Sequence, residues 1–317
     1  MLVYKKKRQQ VSKNRVYTTG KERTCGSIFL DSGAHTLFTE FWIKPERKGL
    51  NPGYSYYRSK RFKAYVDKYA EFVKAHLDVL DHYVTVDAIF EPRISWQVTK
   101  YLEREHGLSP VPVLHFGTPM KWVEKYLAGG YDYLGIGGLG QEVSKQMYYA
   151  WADRLFDRLC DNQDRTPCVR THAFAINSYP LVIRYPWYSV DGSSWAKLAG
   201  YGCVYVPHVR WGKFDFSVSP YIIGFSHRSR ARKVKGAHYL SCSRTEQAAV
   251  QKWLDHIGLK VGSVDKDGNP TEVGVLSQYN SRAVANLRFF EELQKWLGPY
   301  PRRFNVVPRK GLFGGGR

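Results

Sequence analysis

Acidic residues are scarce in this chain: 28 aspartates and glutamates stand against 48 lysines and arginines in 317 residues, a formal net charge of +20. That imbalance points to an anionic partner, most simply nucleic acid. The plainer reading is a basic surface that serves solubility, but aromatic residues, 15% of the chain, are interleaved with the basic ones and favour the first. Cysteine is scarce too. Cys25, Cys160, Cys168, Cys203 and Cys242 are odd in number and form no CxxC pair, which argues against a disulfide framework and a cysteine zinc site and suits reduced thiols in a cytoplasmic setting. Long apolar runs are missing: none approaches the roughly 18 residues of a membrane span, and "MLVYKKKRQQVSKNR" has too few apolar residues before its lysines for a signal peptide. There is no internal repeat. With 43% hydrophobic residues, the chain has enough for a full-sized core.

Short apolar runs alternate with longer amphipathic ones. "SIFLDSGA" reads as a strand, and "RFKAYVDKYAEFVKAHL" then places Phe62, Tyr65, Val66, Tyr69, Phe72 and Val73 at helical spacing. Strands "HYVTVDAIF", "VPVLHFG", "YDYLGIGGLG", "VRTHAFAI", "WYSVDG" and "GCVYVP" follow, separated by helical segments. Such alternation means parallel strands joined by crossover helices. Seven βα repeats after residue 26 fit an α/β fold of the (β/α)8 TIM-like barrel type better than a small doubly wound sheet. "YIIGF" at 221–225, or the arm before residue 24, is the expected source of an eighth strand. The expected division is a basic N-terminal arm over 1–24, a barrel over 25–226 and a basic, helical C-terminal extension over 227–317. In that extension "SHRSRARKVK" carries Arg228, Arg230, Arg232, Lys233 and Lys235 with no acid, as a solvated loop or a nucleic-acid contact. Ser243 and Glu246 have the spacing of a capping box for a helix ending at Gly258.

In a barrel, chemistry gathers at the C-terminal ends of the strands. The strands deliver there Asp31 with Ser32, Gly33 and His35; Asp87; His115 with Phe116 and Gly117; Gly137, Gly138 and Leu139; His172 and Asn177; and Asp191. Each has an ordinary structural explanation. An aspartate after a strand often caps a helix, above all Asp191 before Gly192, Ser193 and Ser194. His115 and His172 could be hydrogen-bonded core residues, and Gly137 and Gly138 could serve a tight turn or admit a flat ligand to the backbone. "GIGGLG" lacks both the GxGxxG spacing and the lysine of a phosphate loop.

Together "DSGAHTLF", "LGIGGLG" and "HAFAINSYPLVIRYPWYSVDGSSW", in this order over roughly residues 27–210, resemble the tRNA-guanine transglycosylase superfamily. The likeness is greatest to its phage-type branch, the DNA-guanine transglycosylases that place 7-deazaguanines in DNA. The resemblance implies a (β/α)8 barrel that exchanges guanine in a polynucleotide for a base such as 7-cyano-7-deazaguanine, without cutting the strand. It implies no cofactor or metal, DNA as partner, and a virus or mobile element as source. Carried over residue by residue, it makes Asp191 the nucleophile at the sugar C1′ and Asp31 the general acid/base. Asp87 reads the N1 and exocyclic amine edge of the purine, Gly138 and Leu139 contact it through their backbone, and His115 stands where the family often has glutamine. Ser32, Phe90, Gly137 and His172 are expected to line the substrate site, and Tyr188, Trp195 and Phe90 either sandwich the purine or belong to the core. The CxCxxC-plus-histidine zinc site of the bacterial tRNA enzymes is missing, which counts against tRNA and against the family's usual dimer.

The chemistry agrees with this assignment. A carboxylate nucleophile must be oriented and shielded, and two displacements at one carbon return its configuration with a second carboxyl group to handle the proton. A base in a duplex must be extruded, with cationic surface for the flanking phosphates. Competing expectations are the same exchange on tRNA, a metal-dependent barrel hydrolase using His115, His172 and aspartates as ligands, and a non-catalytic nucleic-acid-binding protein.

Overall fold

The parallel strands of this chain are short, two to five residues each. The structure, a computed structural model, describes residues 2–3, 27–48, 54–138, 144–176 and 178–306. Contacts divide the chain into two compact units: Met1–Ile176 with Tyr185–Asp191 and Arg303–Arg317, and Asn177–Arg184 with Gly192–Arg302. The expected cut at residue 226 falls inside the second unit.

The first unit is a mixed α/β structure around parallel strands β1 (Leu2–Val3), β2 (Ile28–Leu30), β3 (His82–Tyr83), β4 (Val113–His115), β5 (Tyr133–Gly137), β6 (Arg170–Ala173) and β7 (Ser189–Val190). β1, β2 and β3 pair in chain order, as do β4 to β7. A parallel bridge between Val84 and Val111 joins the two sets. Seven strands thus follow one another in the order of the sequence, and the arm before residue 24 does supply one of them.

The sheet is curled. The Phe29 ring of β2 stacks on His172 of β6 with centroids 4.5 Å apart and meets Tyr133 of β5 edge-on at 5.7 Å. On a flat sheet β2 and β6, four steps apart, would be separated by about 19 Å. Among the described residues no ladder pairs β7 with β1.

Helices α1 (Ala34–Phe38), α2 (Lys44–Arg47), α3 (Lys60–Lys74), α4 (Pro92–His106), α5 (Met120–Ala128) and α6 (Lys145–Leu159) complete this unit. α3 forms where the apolar stripe predicts it: Ser59 Oγ accepts the Phe62 N–H at 3.1 Å, and Phe62, Val66, Tyr69, Ala70 and Val73 are buried. α4 starts with Pro92 in its first turn and ends at Gly107, whose φ of 64° a side chain would resist.

The second unit holds α7 (Tyr179–Arg184), α8 (Ser194–Gly200), α9 (Arg244–His256) and α10 (Tyr279–Leu297), with antiparallel pairs β8 (Cys203–Val206) and β11 (Tyr221–Gly224), β9 (His208–Arg210) and β10 (Lys213–Asp215), and β12 (Ser263–Val264) and β13 (Pro270–Glu272). The 221–225 segment is therefore not an eighth parallel strand. It pairs antiparallel with "CVYV", itself expected to continue the parallel series. An apolar run has the same local pattern in both arrangements, because the partner strand lies elsewhere in the chain. The predicted capping box on α9 is present, with Ser243 N–H donating to Glu246 at 2.7 Å. Buried Asn286 on α10 is fully used: its Oδ1 accepts the Tyr205 N–H at 2.8 Å and its Nδ2 donates to the Trp195 and Cys203 carbonyls. Cys160, Cys168, Cys203 and Cys242 are free thiols, and Cys25 lies outside the described residues. No described helix is long and apolar enough to cross a membrane.

Candidate active site

Side chains alternate across a strand. By register Phe29 and Asp31, His82 and Val84, Val113 and His115, Tyr133 and Gly135 and Gly137, His172 and Phe174, and Ser189 and Asp191 therefore share one face of the curled sheet, and Asp87, beyond the end of β3, meets that face through His115. The chemistry-bearing members of these sets lie toward the C-terminal ends of the strands.

Asp191 follows β7, its backbone N–H bonded to the Ala173 carbonyl of β6 at 3.1 Å. Its Oδ1 accepts the Ala175 N–H at 2.7 Å, from a residue held at a left-handed φ of 57°. Such a backbone is costly for alanine and persists where the surroundings impose it. His172 Nε2 faces the same oxygen at 3.5 Å, too far for a full hydrogen bond. Behind it, His172 Nδ1 and Ser189 Oγ are 2.8 Å apart, and Ser189 Oγ and Tyr133 Oη 2.8 Å apart. Burial pushes the Tyr133 hydroxyl up to about 12, so it keeps its proton at neutral pH and can donate. If Tyr133 donates to Ser189 and Ser189 to His172 Nδ1, the His172 proton sits on Nε2, toward the carboxylate. His172 is completely buried, so it reaches Asp191 and not the surface.

Asp87 is buried, and its Oδ2 meets His115 Nε2 at 2.5 Å. The imidazole lies against β5. A Cβ added to Gly137 would stand 3.2 Å from its Nδ1, and one on Gly138, at φ 88°, 3.0 Å from the Phe116 nitrogen. The two glycines therefore make room for His115. His115 Nδ1 is buried with no hydrogen-bond partner. Asp31 Oδ1 accepts the Gly33 N–H at 3.2 Å, and the buried Ser32 offers its carbonyl to Tyr65 Oη at 2.8 Å. Burial and, after it, the charge of Asp31 hold the Tyr69 hydroxyl well above its ordinary range, and that hydroxyl donates to the Val84 carbonyl at 2.6 Å.

None of the three aspartates is spent as a helix cap. The N-cap positions are Gly33 for α1, Glu91 for α4 and Ser193 for α8. Phe90, at φ 68° and 40% exposed, meets Phe38 and Trp42 edge-on at 5.5 and 5.7 Å. Glu91, the next residue, lines an open cleft of about 410 Å3 together with Tyr57, Arg58, Arg93, Ile94 and Gln97. Tyr188 is exposed with its ring edge on Tyr133, whereas Trp195 belongs to the second unit. Leu139 and Asn177 lie outside the described residues. Arg228, Arg230, Arg232, Lys233 and Lys235 are all exposed in the second unit.

Ser189, Tyr133 and Ala175 are the members that sequence reading missed. The alternation within "YSVD" does put Ser189 on the face of Asp191, and that signal could have found it. Among the described residues no three His, Cys, Asp or Glu side chains are gathered as a metal site: His115 and His172 serve separate aspartates. The arrangement can hold an ionised carboxylate in a fixed orientation, with Asp31 on the same sheet face and Asp87 meeting that face through His115. In comparisons with known proteins, no family model, curated protein or solved structure matches this chain.

Proposed function

We propose that the chain is a guanine transglycosylase that exchanges guanine in DNA for a 7-deazaguanine base through an intermediate covalently bound to Asp191. The observation that carries the reading is the Asp191 carboxylate, held by the Ala175 N–H with His172 Nε2 3.5 Å away, on the sheet face that also bears Asp31 and is met by Asp87. On this reading the first unit is a barrel of the TIM type, an interpretation supported by its seven chain-order parallel strands and by the curl around Phe29.

Asp191 attacks C1′ of the deoxyguanosine as the C1′–N9 bond breaks. The electron pair goes to the departing purine, which takes a proton from Asp31. The incoming deazaguanine then loses its N9 proton to the Asp31 carboxylate, and its nitrogen displaces Asp191 from C1′ with net retention. Asp87, held by His115, accepts from the N1 and amine edge of the base. The formal charge of +20 suits the phosphates on either side of an extruded nucleotide.

The test is incorporation of labelled guanine or 7-cyano-7-deazaguanine into duplex DNA and, in parallel, into unmodified tRNA, with Asp191→Ala as control. Label in DNA that vanishes with the variant is the expected result. Label in tRNA alone keeps the chemistry and reverses the substrate, and no label in either removes the reading.

A further inference from the structure

The hairpin of β9 and β10 carries an aromatic side chain that its turn does not require. Arg210 pairs with Lys213, so Trp211 and Gly212 form a two-residue turn. Both have positive φ, 48° and 76°. Turns of that kind favour Asn-Gly, Asp-Gly or Gly-Gly, and tryptophan stands where asparagine would fold more easily. Its indole is not buried in compensation, being 87% exposed. The base of the hairpin is firm: Phe214 meets Trp253 edge-on at 5.2 Å, and Lys252 Nζ donates to the Gly212 carbonyl at 2.6 Å. The Arg210 guanidinium lies 4.4 Å from the centre of the indole ring.

Charge selects among partners for such a tip. Between Asp191 and Glu246 the sequence has nine lysines and arginines and one acid, Asp215, whose Oδ1 accepts the Ser217 N–H at 2.8 Å. An exposed tryptophan also suits a protein interface, but nine cations against one acid suit a polyanion. Every base has a π face, so an indole beside cations grips an opened strand without choosing its sequence.

We propose that the Trp211 hairpin is a DNA contact, its indole stacking on an unstacked base while Arg210 and Lys213 take the flanking phosphates. The inference rests on the reading of DNA as the substrate, since base exchange needs an opened strand. The test is fluorescence anisotropy of the full chain with a labelled single strand and with a duplex carrying a mismatched guanine, with unmodified tRNA as competitor. Trp211→Ala should weaken DNA binding about tenfold with an unchanged salt slope, and Trp211→Phe should restore most of it. Replacing Arg210 and Lys213 by glutamine should lower the slope of log affinity against log salt by about two. Affinity of Trp211→Ala within about twofold of wild type, no wild-type DNA binding, or a preference for tRNA over DNA each overturns the proposal. Incorporation assays on the same preparations separate the two readings. Trp211-dependent binding without exchange removes the transglycosylase and leaves the hairpin. Exchange with full DNA affinity in Trp211→Ala does the reverse.

Discussion

At Asp191 the carboxylate is held by the Ala175 N–H before any substrate arrives, with the Tyr133, Ser189 and His172 series ending 3.5 Å from the same oxygen. Ser189→Ala removes the link that sets the His172 tautomer and leaves the backbone untouched. We expect kcat for base exchange to fall about tenfold to a hundredfold, with KM and DNA affinity little changed, because misorientation acts on the reacting geometry. A matching rise in KM would place Ser189 in substrate binding instead. Asp191→Ala should abolish incorporation while DNA affinity stays within a few fold, and retention of label at the wild-type rate would exclude it as nucleophile. Asp87→Ala should alter the choice between guanine and deazaguanine in competition, and an unchanged preference would remove it from the base edge. The three aspartates were legible as strand ends because a carboxylate after an apolar run is conspicuous. Ser189 and Tyr133 were not, since a serine or tyrosine inside a strand looks like any other packed residue until its partners are known.

Among the elements, β4 and β5 show why glycines sit where they do. Gly137→Ala would press a methyl group against the His115 ring that bonds Asp87. Its expected effect is reduced exchange with only a small change in urea midpoint; a large loss of stability with unimpaired exchange per folded molecule would contradict that placing. In the second unit Asn286→Leu strands the Tyr205 N–H and two carbonyls, and should cost about 1–3 kcal/mol in urea unfolding. The strands of the first unit were legible because buried parallel strands read as near-continuous apolar runs, as "YLGIG" does. The hairpin pair β8 and β11 was not, because its register is set by residues far apart in the chain. In the sequence the two glycines suit a turn or a ligand approach equally, and their service to His115 shows only when two strands lie side by side.

For the molecule as a whole, acid sensitivity follows from two histidines. Burial, and after it the charge of Arg170, holds His82 below its ordinary 6.5, and burial does the same for His238. A histidine with a lowered folded value binds its proton more readily unfolded. Its stabilising contribution is present above pH 6.5 and declines as pH falls through the unfolded value toward the folded one. The urea midpoint should therefore drop as pH falls below 6.5, and replacing both histidines by glutamine should flatten that drop. An unchanged slope would assign the acid loss to carboxylates.

The first unit also has a consequence for how the protein is made. Its core is closed by a late piece of chain: Phe304 is buried against Phe156 and Tyr185, its N–H bonded to the Arg165 carbonyl at 2.7 Å. Tyr185 in turn begins the segment that ends in Asp191. A ribosome emits the residues around Phe156 long before Phe304, so the aromatic cluster that carries the nucleophile's strand waits, incomplete, through synthesis of the whole second unit. Nascent chains stalled before residue 304 should be cleaved by protease near that cluster, and protection should appear only once residue 304 has left the exit tunnel.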